Sequence, residues 1–261
     1  MLVKDAVILA TGFYEKVIIY KDGQSIGSID LKCRQRLCKS RCGIINRWLQ
    51  KTNESVYIID EGDNLYHIAW SDIMNGGQIN KALIAPLIED FFAATNGVGM
   101  IGKDRKLKLP KEKVLDLEPT FNKFEPSIVI KLANHWIVSG DLDGQAIIAS
   151  FSDTGKLCSR VAIDMTSSKS RDTAMMYCLQ TVAINRRRAV MLAVEREGCC
   201  RLLSMTCRGR LYVILTLPCL VDKSNRKDTN KVIFSVSNCS QKGDILVGGF
   251  GWLKMINIKT N

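Results

Sequence analysis

The sequence predicts an all-β fold and, within that class, a β-propeller of six or seven degenerate four-stranded blades. Three observations support this prediction: a hairpin pattern that recurs, short β-branched strands between the hairpins, and almost no helical periodicity. The clearest hairpin is "VSGDLDGQAII" around Gly140, where two apolar strands flank the turn "DLDG". Aspartate and glycine tolerate the left-handed backbone of a tight turn, so this stretch is a strong hairpin signal.

A strand, a turn near a glycine and an alternating apolar strand follow one another six times along the chain. The six stretches are "ATGFYEKVIIY" (Gly12), "DEGDNLYHIAW" (Gly62), "MIGKDRKLKL" (Gly102), "VSGDLDGQAII" (Gly140), "VEREGCCRLLSM" (Gly198) and "VGGFGWLKMINI" (Gly249). Their spacing of between about 38 and 58 residues includes the roughly 40–45 residues of a four-stranded propeller blade. The repetition therefore predicts one blade for each hairpin.

Further short strands are predicted between the hairpins, at 126–136, 176–184, 210–218 and 231–239. The best helical candidate, residues 33–51, has no clear N-cap and is interrupted by Gly43. Consensus G-H and W-D dipeptides are absent, so the predicted blades are WD40-like but degenerate. A β-sandwich or two small barrels would also give short strands at regular spacing, and these alternatives stay open.

The two ends of the chain are predicted to be incomplete blades. The first unit is expected to begin at its second strand, residues 6–10, and the last to end at its third strand, residues 255–258. A propeller joins its termini within one blade because this removes exposed sheet edges. Residues 1–261 are accordingly expected to form a single propeller domain.

Composition and charge narrow the class of function. The 46% hydrophobic and 24% charged residues are ordinary for a globular protein, and no apolar run is long enough to predict a membrane span. The start lacks the features of a secretory signal, so the ten cysteines are expected to be reduced thiols of an intracellular protein. A net charge of +11 favours nucleic acid, an anionic membrane or an acidic protein as partner.

Residues that could carry catalysis or bind a metal are few. His67 lies in an alternating strand and His135 in a predicted turn, and neither has a nucleophile or carboxylate near it in sequence. Cys33, Cys38 and Cys42 have no nearby fourth ligand, although structural zinc sites use four. The sequence therefore predicts a non-catalytic protein with no metal and no cofactor of its own.

Basic clusters are the more informative feature. Six Lys or Arg residues occur in 32–47 and six more in 102–113, and shorter clusters lie at 185–189 and 223–227. Such clusters can contact phosphates or dock on an acidic protein. The candidate RNA-binding residues are Arg34, Arg36, Arg186, Arg187 and Arg188.

Residues 98–249 resemble the WD-repeat, non-catalytic subunit of the tRNA (guanine-N7) methyltransferase. Three stretches carry the resemblance: "GVGMIGKDRKLKL", "PSIVIKLANHWIVSGDLDGQAIIASFSDTGKL" and "LQTVAINRRRAVMLAVEREGCCRLLSM", with "KVIFSVSNCSQKGDILVG" continuing the last. Each motif is shared with other WD blades, and their consecutive order gives the match its weight. The first 97 residues show no specific match, and the family has longer chains with a seventh blade.

The resemblance implies a role as partner of a separate catalytic subunit. That subunit binds S-adenosylmethionine and methylates a guanine of tRNA, whereas the propeller stabilises it and helps to position the tRNA. The family's docking hairpin is matched by Asp104, Arg105 and Lys108, and charge adds the neighbouring Lys103 and Lys106. Work on tRNA would place the protein in the nucleus. The alternatives are a propeller that binds proteins in a chromatin, nuclear pore or ubiquitin-ligase complex, and a propeller that binds RNA directly.

Overall fold

The structure of the chain is a computed structural model. It describes residues 2–4, 7–11, 16–30, 49–51, 54–59, 62–75, 82–94, 97–164, 176–184, 188–195, 200–217, 233–238, 244–249 and 252–257. The chain divides into two compact units, Met1–Lys103 and Asp104–Asn261.

The described strands form six antiparallel sheets, and in each sheet the strands follow one another in chain order. The first contains β1 (Leu2–Lys4), β2 (Val7–Thr11), β3 (Lys16–Lys21) and β4 (Gln24–Asp30). The second contains β5 (Leu49–Lys51), β6 (Ser55–Ile59), β7 (Leu65–Ala69) and β8 (Ala82–Ala85). The third contains β9 (Ile88–Ala94), β10 (Gly97–Gly102), β11 (Lys106–Leu109) and β12 (Lys113–Asp116).

The remaining three sheets belong to the second unit. The fourth contains β13 (Glu125–Leu132), β14 (His135–Leu142), β15 (Gln145–Ser152) and β16 (Leu157–Asp164). The fifth contains β17 (Met176–Ile184), β18 (Arg188–Glu195), β19 (Cys200–Thr206) and β20 (Leu211–Leu217). The sixth contains β21 (Ile233–Asn238), β22 (Asp244–Gly249) and β23 (Trp252–Asn257). Two short helices, α1 (Trp70–Met74) and α2 (Glu118–Phe121), complete the described elements.

All six predicted hairpins are confirmed, and each is formed by the second and third strands of its sheet. The Gly140 hairpin, for example, is β14–β15, with Leu142 opposite Gln145 across a two-residue turn. Asp143 and Gly144 have φ values of 49° and 77°, the left-handed pair that a tight hairpin turn requires. The aspartate–glycine signal in the sequence therefore identified the turn for a physical reason.

Burial explains why the two middle strands of the fourth sheet are rich in apolar residues without strict alternation. Six consecutive residues are buried in each of β14 and β15, whereas the last strand of the same sheet, β16, is largely half-buried or exposed. A strand covered on both faces needs apolar side chains on both, so it loses the alternation of a half-exposed strand.

In the first unit, two apolar clusters form the core. One joins Ile19, Ile29, Val56, Ile58, Ile68, Trp70 and Ile73. The other joins Ile59, Leu65, Ala85, Ile88, Phe91 and Met100. Trp70 and Ile73, the buried residues of α1, belong to the first cluster, so this short helix packs against the strands.

In the second unit, successive sheets contact one another: β16 contacts β20, β13 and β14 contact β17, and β17 contacts β21. Trp136, Ile137 and Leu203 are among the buried apolar side chains of this unit.

Two expectations from the sequence are corrected by the structure. The first sheet begins with β1 (Leu2–Lys4), a first strand that precedes residues 6–10, because three residues suffice to pair with Val7–Leu9. His135 is the first residue of β14 and pairs with Leu132 and Ser152, so it does not lie in the turn. The expectation that the last unit ends at its third strand is confirmed by β23 within the described residues. Of the helical candidate 33–51, residues 33–48 lie outside the described part, and Leu49–Lys51 form β5.

Candidate interaction surface

The predicted docking hairpin consists of β10, β11 and the turn between them. Arg105 adopts a left-handed conformation, with a φ of 59°, and the N–H of Lys106 donates to Oδ1 of Asp104 at 3.3 Å. Asp104 and Lys106 are exposed and Lys108 is half-buried. The turn therefore presents the predicted charges on a short, tightly bent segment.

Arg105 is engaged within the chain. Its Nη1 forms an ion pair with Oε2 of Glu118 at 2.7 Å, and its Nη2 donates to the carbonyl of Phe124 at 2.7 Å and to that of Asn122. The backbone reinforces this contact, since the N–H of Leu117 donates to the carbonyl of Arg105 at 3.1 Å. The guanidinium thus binds the carbonyls of Asn122 and Phe124, two residues that follow α2.

β11 presents the two lysines on one face. Lys106 and Lys108 alternate with Leu107 and Leu109, which are buried on the opposite face. Side chains two residues apart on a strand lie on the same face, about 6.6 Å apart. Neither lysine has a carboxylate within ion-pair distance among the residues that the structure describes. These two ammonium groups are the charges that the hairpin offers to a partner.

Lys103 belongs to the first unit and has a partner there. Its Nζ forms an ion pair with Oδ2 of Asp63, and its N–H donates to the carbonyl of Leu87 at 2.9 Å. The carbonyl of Asp63 in turn accepts from the N–H of Ile88 at 2.8 Å. Lys103 therefore ties neighbouring turns together, although an ion pair this exposed contributes little to stability.

Of the five candidate RNA-binding arginines, the structure describes Arg188 alone. Arg34, Arg36, Arg186 and Arg187 lie outside the described residues. Arg188 begins β18, opposite Thr206 of β19. Their role in RNA binding stays a prediction.

Both histidines lie in packed strands. The Nε2 of His67 is 2.7 Å from Oγ of the buried Ser55 on the neighbouring strand, a contact that the sequence did not reveal. The ring of Tyr57 lies 5.4 Å from that of His67. His135 is buried, and this burial is the main reason why its pKa lies below the ordinary value. The nearby Lys131 ammonium lowers the pKa of His135 further. Among the described residues, no group of three His, Cys, Asp or Glu side chains could hold a metal ion.

The structure also reveals an exposed apolar edge that the sequence did not predict. β20 is the last strand of its sheet, and four consecutive residues, Tyr212 to Leu215, are exposed. The arginines of the preceding turn, Arg208 and Arg210, are exposed too. An apolar run without alternation is typical of a strand buried on both faces, so the sequence pattern gave no sign of this exposure.

Comparisons with known proteins identify the fold but no family. No protein-family model matches the chain, and no curated protein matches it. Among solved structures, a chain from Saccharomyces cerevisiae Dbp5 bound to Nup159, Gle1, IP6 and ADP has a TM-score of 0.55 at 12% identity, over 95% of this chain and 75% of that chain. A chain from BBS1N in complex with ARL6DN has a TM-score of 0.56 at 11% identity, over 94% and 72%. The designed protein Ika8 has a TM-score of 0.53 at 11% identity, over 99% and 70%.

The chain is an all-β protein with a β-propeller fold. Successive antiparallel sheets, each with its strands in chain order, are the blades of this fold. Six such sheets are present among the described residues, the lower of the two predicted blade numbers. No helix in the described part of the chain is long and apolar enough to cross a membrane.

Proposed function

We propose that this chain is a non-catalytic scaffold that binds a protein partner through the β10–β11 turn and β11. The observation that carries the proposal is the anchoring of Arg105 to Glu118, Asn122 and Phe124, which fixes the turn before any partner arrives. A surface that is already ordered loses less conformational entropy on binding, so more of the interaction energy appears as affinity.

The charge of this segment indicates the chemistry of the partner surface. Residues 103–113 contain six Lys or Arg side chains and two carboxylates. With Arg105 engaged internally, Lys106 and Lys108 present two ammonium groups on one face of β11. A protein surface that carries two carboxylates at the same spacing is complementary to them, and such pairs chiefly set the association rate and the specificity.

The partner proposed is the catalytic subunit of a tRNA guanine-N7 methyltransferase. This step rests on the resemblance of residues 98–249 to the family's WD-repeat subunit. S-adenosylmethionine then binds to the partner subunit alone, and the tRNA contacts this chain through the arginines at 34, 36 and 186–188. The protein works in the nucleus, where tRNA is matured.

Reconstitution tests the proposal. The full chain is mixed with the purified catalytic subunit from the same organism, and the dissociation constant and the rate of tRNA methylation are measured. The double variant Lys106→Glu, Lys108→Glu is expected to weaken binding about tenfold or more, since two attractive charge pairs become repulsive. The matched control is Lys156→Glu, which reverses another exposed lysine of the same unit.

Each other outcome has a definite meaning. Equal binding by the double variant and the control would exclude the turn as the docking site. No binding of the catalytic subunit by the unaltered chain would exclude the methyltransferase and leave a scaffold of another complex. Tight tRNA binding without any partner, falling steeply with salt, would identify a direct RNA-binding propeller instead.

A further inference from the structure

β20 is an exposed sheet edge that is neither short nor charged. Natural proteins prevent unwanted pairing at edges by shortening the last strand or by placing charges on it. Every other last strand of the described sheets has one of these features. β4, β12, β16 and β23 contain charged residues, and β8 has only four residues. β20, "LYVILTL", has seven residues and no charge.

The exposed side chains are large and apolar. Tyr212, Val213, Ile214 and Leu215 are between 44% and 53% exposed, although every residue of β20 except Ile214 has a register partner on β19. No described strand pairs with its other edge. The N–H and C=O groups directed towards that edge are therefore available to an added strand.

Irregular pairing does not distinguish β20 from the other last strands. Ile214 has no register partner, because Leu202 lies opposite Leu215 and Leu203 opposite Val213. The same irregularity occurs on β4, β8 and β16. The apolar, uncharged composition is thus the specific feature of β20.

The surroundings of β20 indicate the charge of its partner. Arg208 and Arg210 are exposed in the turn that leads into the strand, and residues 207–217 contain no carboxylate. The backbone of Arg210 is fixed, because its carbonyl accepts from the N–H of Thr206 at 2.9 Å and its own N–H donates to Oγ1 of Thr206 at 3.2 Å. One end of the apolar edge is therefore positively charged and held in place.

We propose that β20 is a docking edge for an extended segment of a partner protein, which adds to the sheet as an antiparallel fifth strand. Main-chain hydrogen bonds along the edge supply affinity, and apolar side chains of the segment cover Tyr212 to Leu215. In an antiparallel arrangement the carboxyl end of the segment lies beside Arg210, so acidic residues at that end complete the match. The proposal goes beyond the proposed function, because it concerns another surface and needs no methyltransferase.

The test uses a synthetic probe peptide with this chemistry, fluorescein-Thr-Val-Thr-Val-Thr-Val-Asp-Glu, and the full chain. Fluorescence anisotropy measures the dissociation constant, and hydrogen exchange measures the protection of β20 amides. Binding to the unaltered chain is expected to slow exchange in β20. Ile214→Lys is expected to weaken binding about tenfold, because a charge replaces an apolar side chain that the bound segment would cover.

Two controls separate this effect from misfolding. Leu83→Lys places the same charge on the last strand of another sheet, at a residue that is 57% exposed, and is expected to leave probe binding unchanged. Ile214→Thr keeps a β-branched residue without charge and is expected to bind at most a few-fold more weakly than the unaltered chain. Circular dichroism verifies that each variant is folded.

Charge exchange tests the polarity of the added strand. Arg210→Glu is expected to weaken binding of the acidic probe by roughly three- to fivefold, and to favour a second probe that ends in Lys-Lys by a similar factor. Absence of binding by the unaltered chain, equal loss in Ile214→Lys and Leu83→Lys, or indifference to the charge exchange would overturn the proposal. Self-association that Ile214→Lys abolishes would overturn it too, since the occupant would then be a second copy of this chain.

Discussion

The imidazole of His135 lies directly against the backbone of Gly209. A β-carbon at Gly209 would be 2.6 Å from both Cδ2 and Nε2 of that ring, and 2.9 Å from the β-carbon of Cys158. Gly209 also has a φ of +80°, in the left-handed region. His135 opens β14 in the fourth sheet and Gly209 lies in the last turn of the fifth, so the absence of a side chain lets the two sheets approach.

Gly209→Ala should destabilise the protein by about 2–4 kcal/mol. Part of this cost comes from the left-handed backbone, and part from a methyl group for which there is no space. Gly23→Ala is the matched control, because Gly23 has the same φ of +80° and nothing within 4 Å of an added β-carbon. Denaturant unfolding measures both, and similar losses in the two variants would contradict the role of close packing.

Ser150→Ala should cost about 1–3 kcal/mol of unfolding free energy. The Oγ of Ser150 is fully buried and donates to the carbonyl of Gly209, which would lose its donor. Thr154→Ala, at an exposed hydroxyl 2.8 Å from that of Ser152, should change the free energy by less than about 0.5 kcal/mol. Because Ser150 and Gly209 share one contact, the losses in the double variant with Gly209→Ala should not add. Strict additivity would show that the two sites are independent.

The stability of the protein should fall on mild acidification, and His135 should be one cause. Its pKa is held below 6.5 by burial and by Lys131, against a smaller opposing effect of Asp153. As the pH falls below 6.5, the unfolded chain therefore gains a proton at this residue more readily than the native one. The resulting loss is at most about 1.4 kcal/mol for each pH unit.

Unfolding of the unaltered chain and of His135→Gln at pH 7.5 and 5.5 measures this contribution. The variant should lose less free energy between the two pH values, because its side chain does not titrate. An identical pH dependence in both proteins would rule out His135 as a source.

Arg105→Ala should destabilise the second unit by about 1–3 kcal/mol, since the carbonyls of Asn122 and Phe124 lose a charged donor. Lys106→Ala, one residue away and exposed, should change stability by less than about 0.5 kcal/mol. Thermal and denaturant unfolding compare the two variants. If they are equally stable, the guanidinium does not anchor the turn. A stability loss at Arg105 also means that partner binding is better tested at Lys106 and Lys108.

The fold class and the hairpins followed from the sequence because their signals are local. Asp143-Gly144 shows the paired positive φ of a two-residue turn, a conformation that few residues tolerate. The turn at Asp22-Gly23, outside the six predicted hairpins, has the same pair. The strand alternation around these turns then determines which residues pair. Such features depend on the nearest neighbours in the chain, so the order of residues alone reveals them.

The chemistry of the surfaces was less predictable because it depends on distant residues. The family resemblance marked Arg105 as a partner contact, but its ion pair is with Glu118, 13 positions further along the chain. Similarly, "LYVILTL" reads as a buried strand, and only the sheet order places it at an edge. Exposure and ion pairing arise when sheets assemble, so a linear pattern cannot separate an engaged cation from a free one.

The bonds between the fourth and fifth sheets have a mechanical consequence. Ser150 donates to the carbonyl of Gly209, and the N–H of Leu211 donates to Oγ of Ser159 at 3.1 Å. Hydrogen bonds therefore join these two blades near the turn between β19 and β20. Force applied to either blade is therefore transmitted to the other through these hydrogen bonds. When the molecule is stretched between optical traps, residues 125–217 should therefore unfold together in a single step.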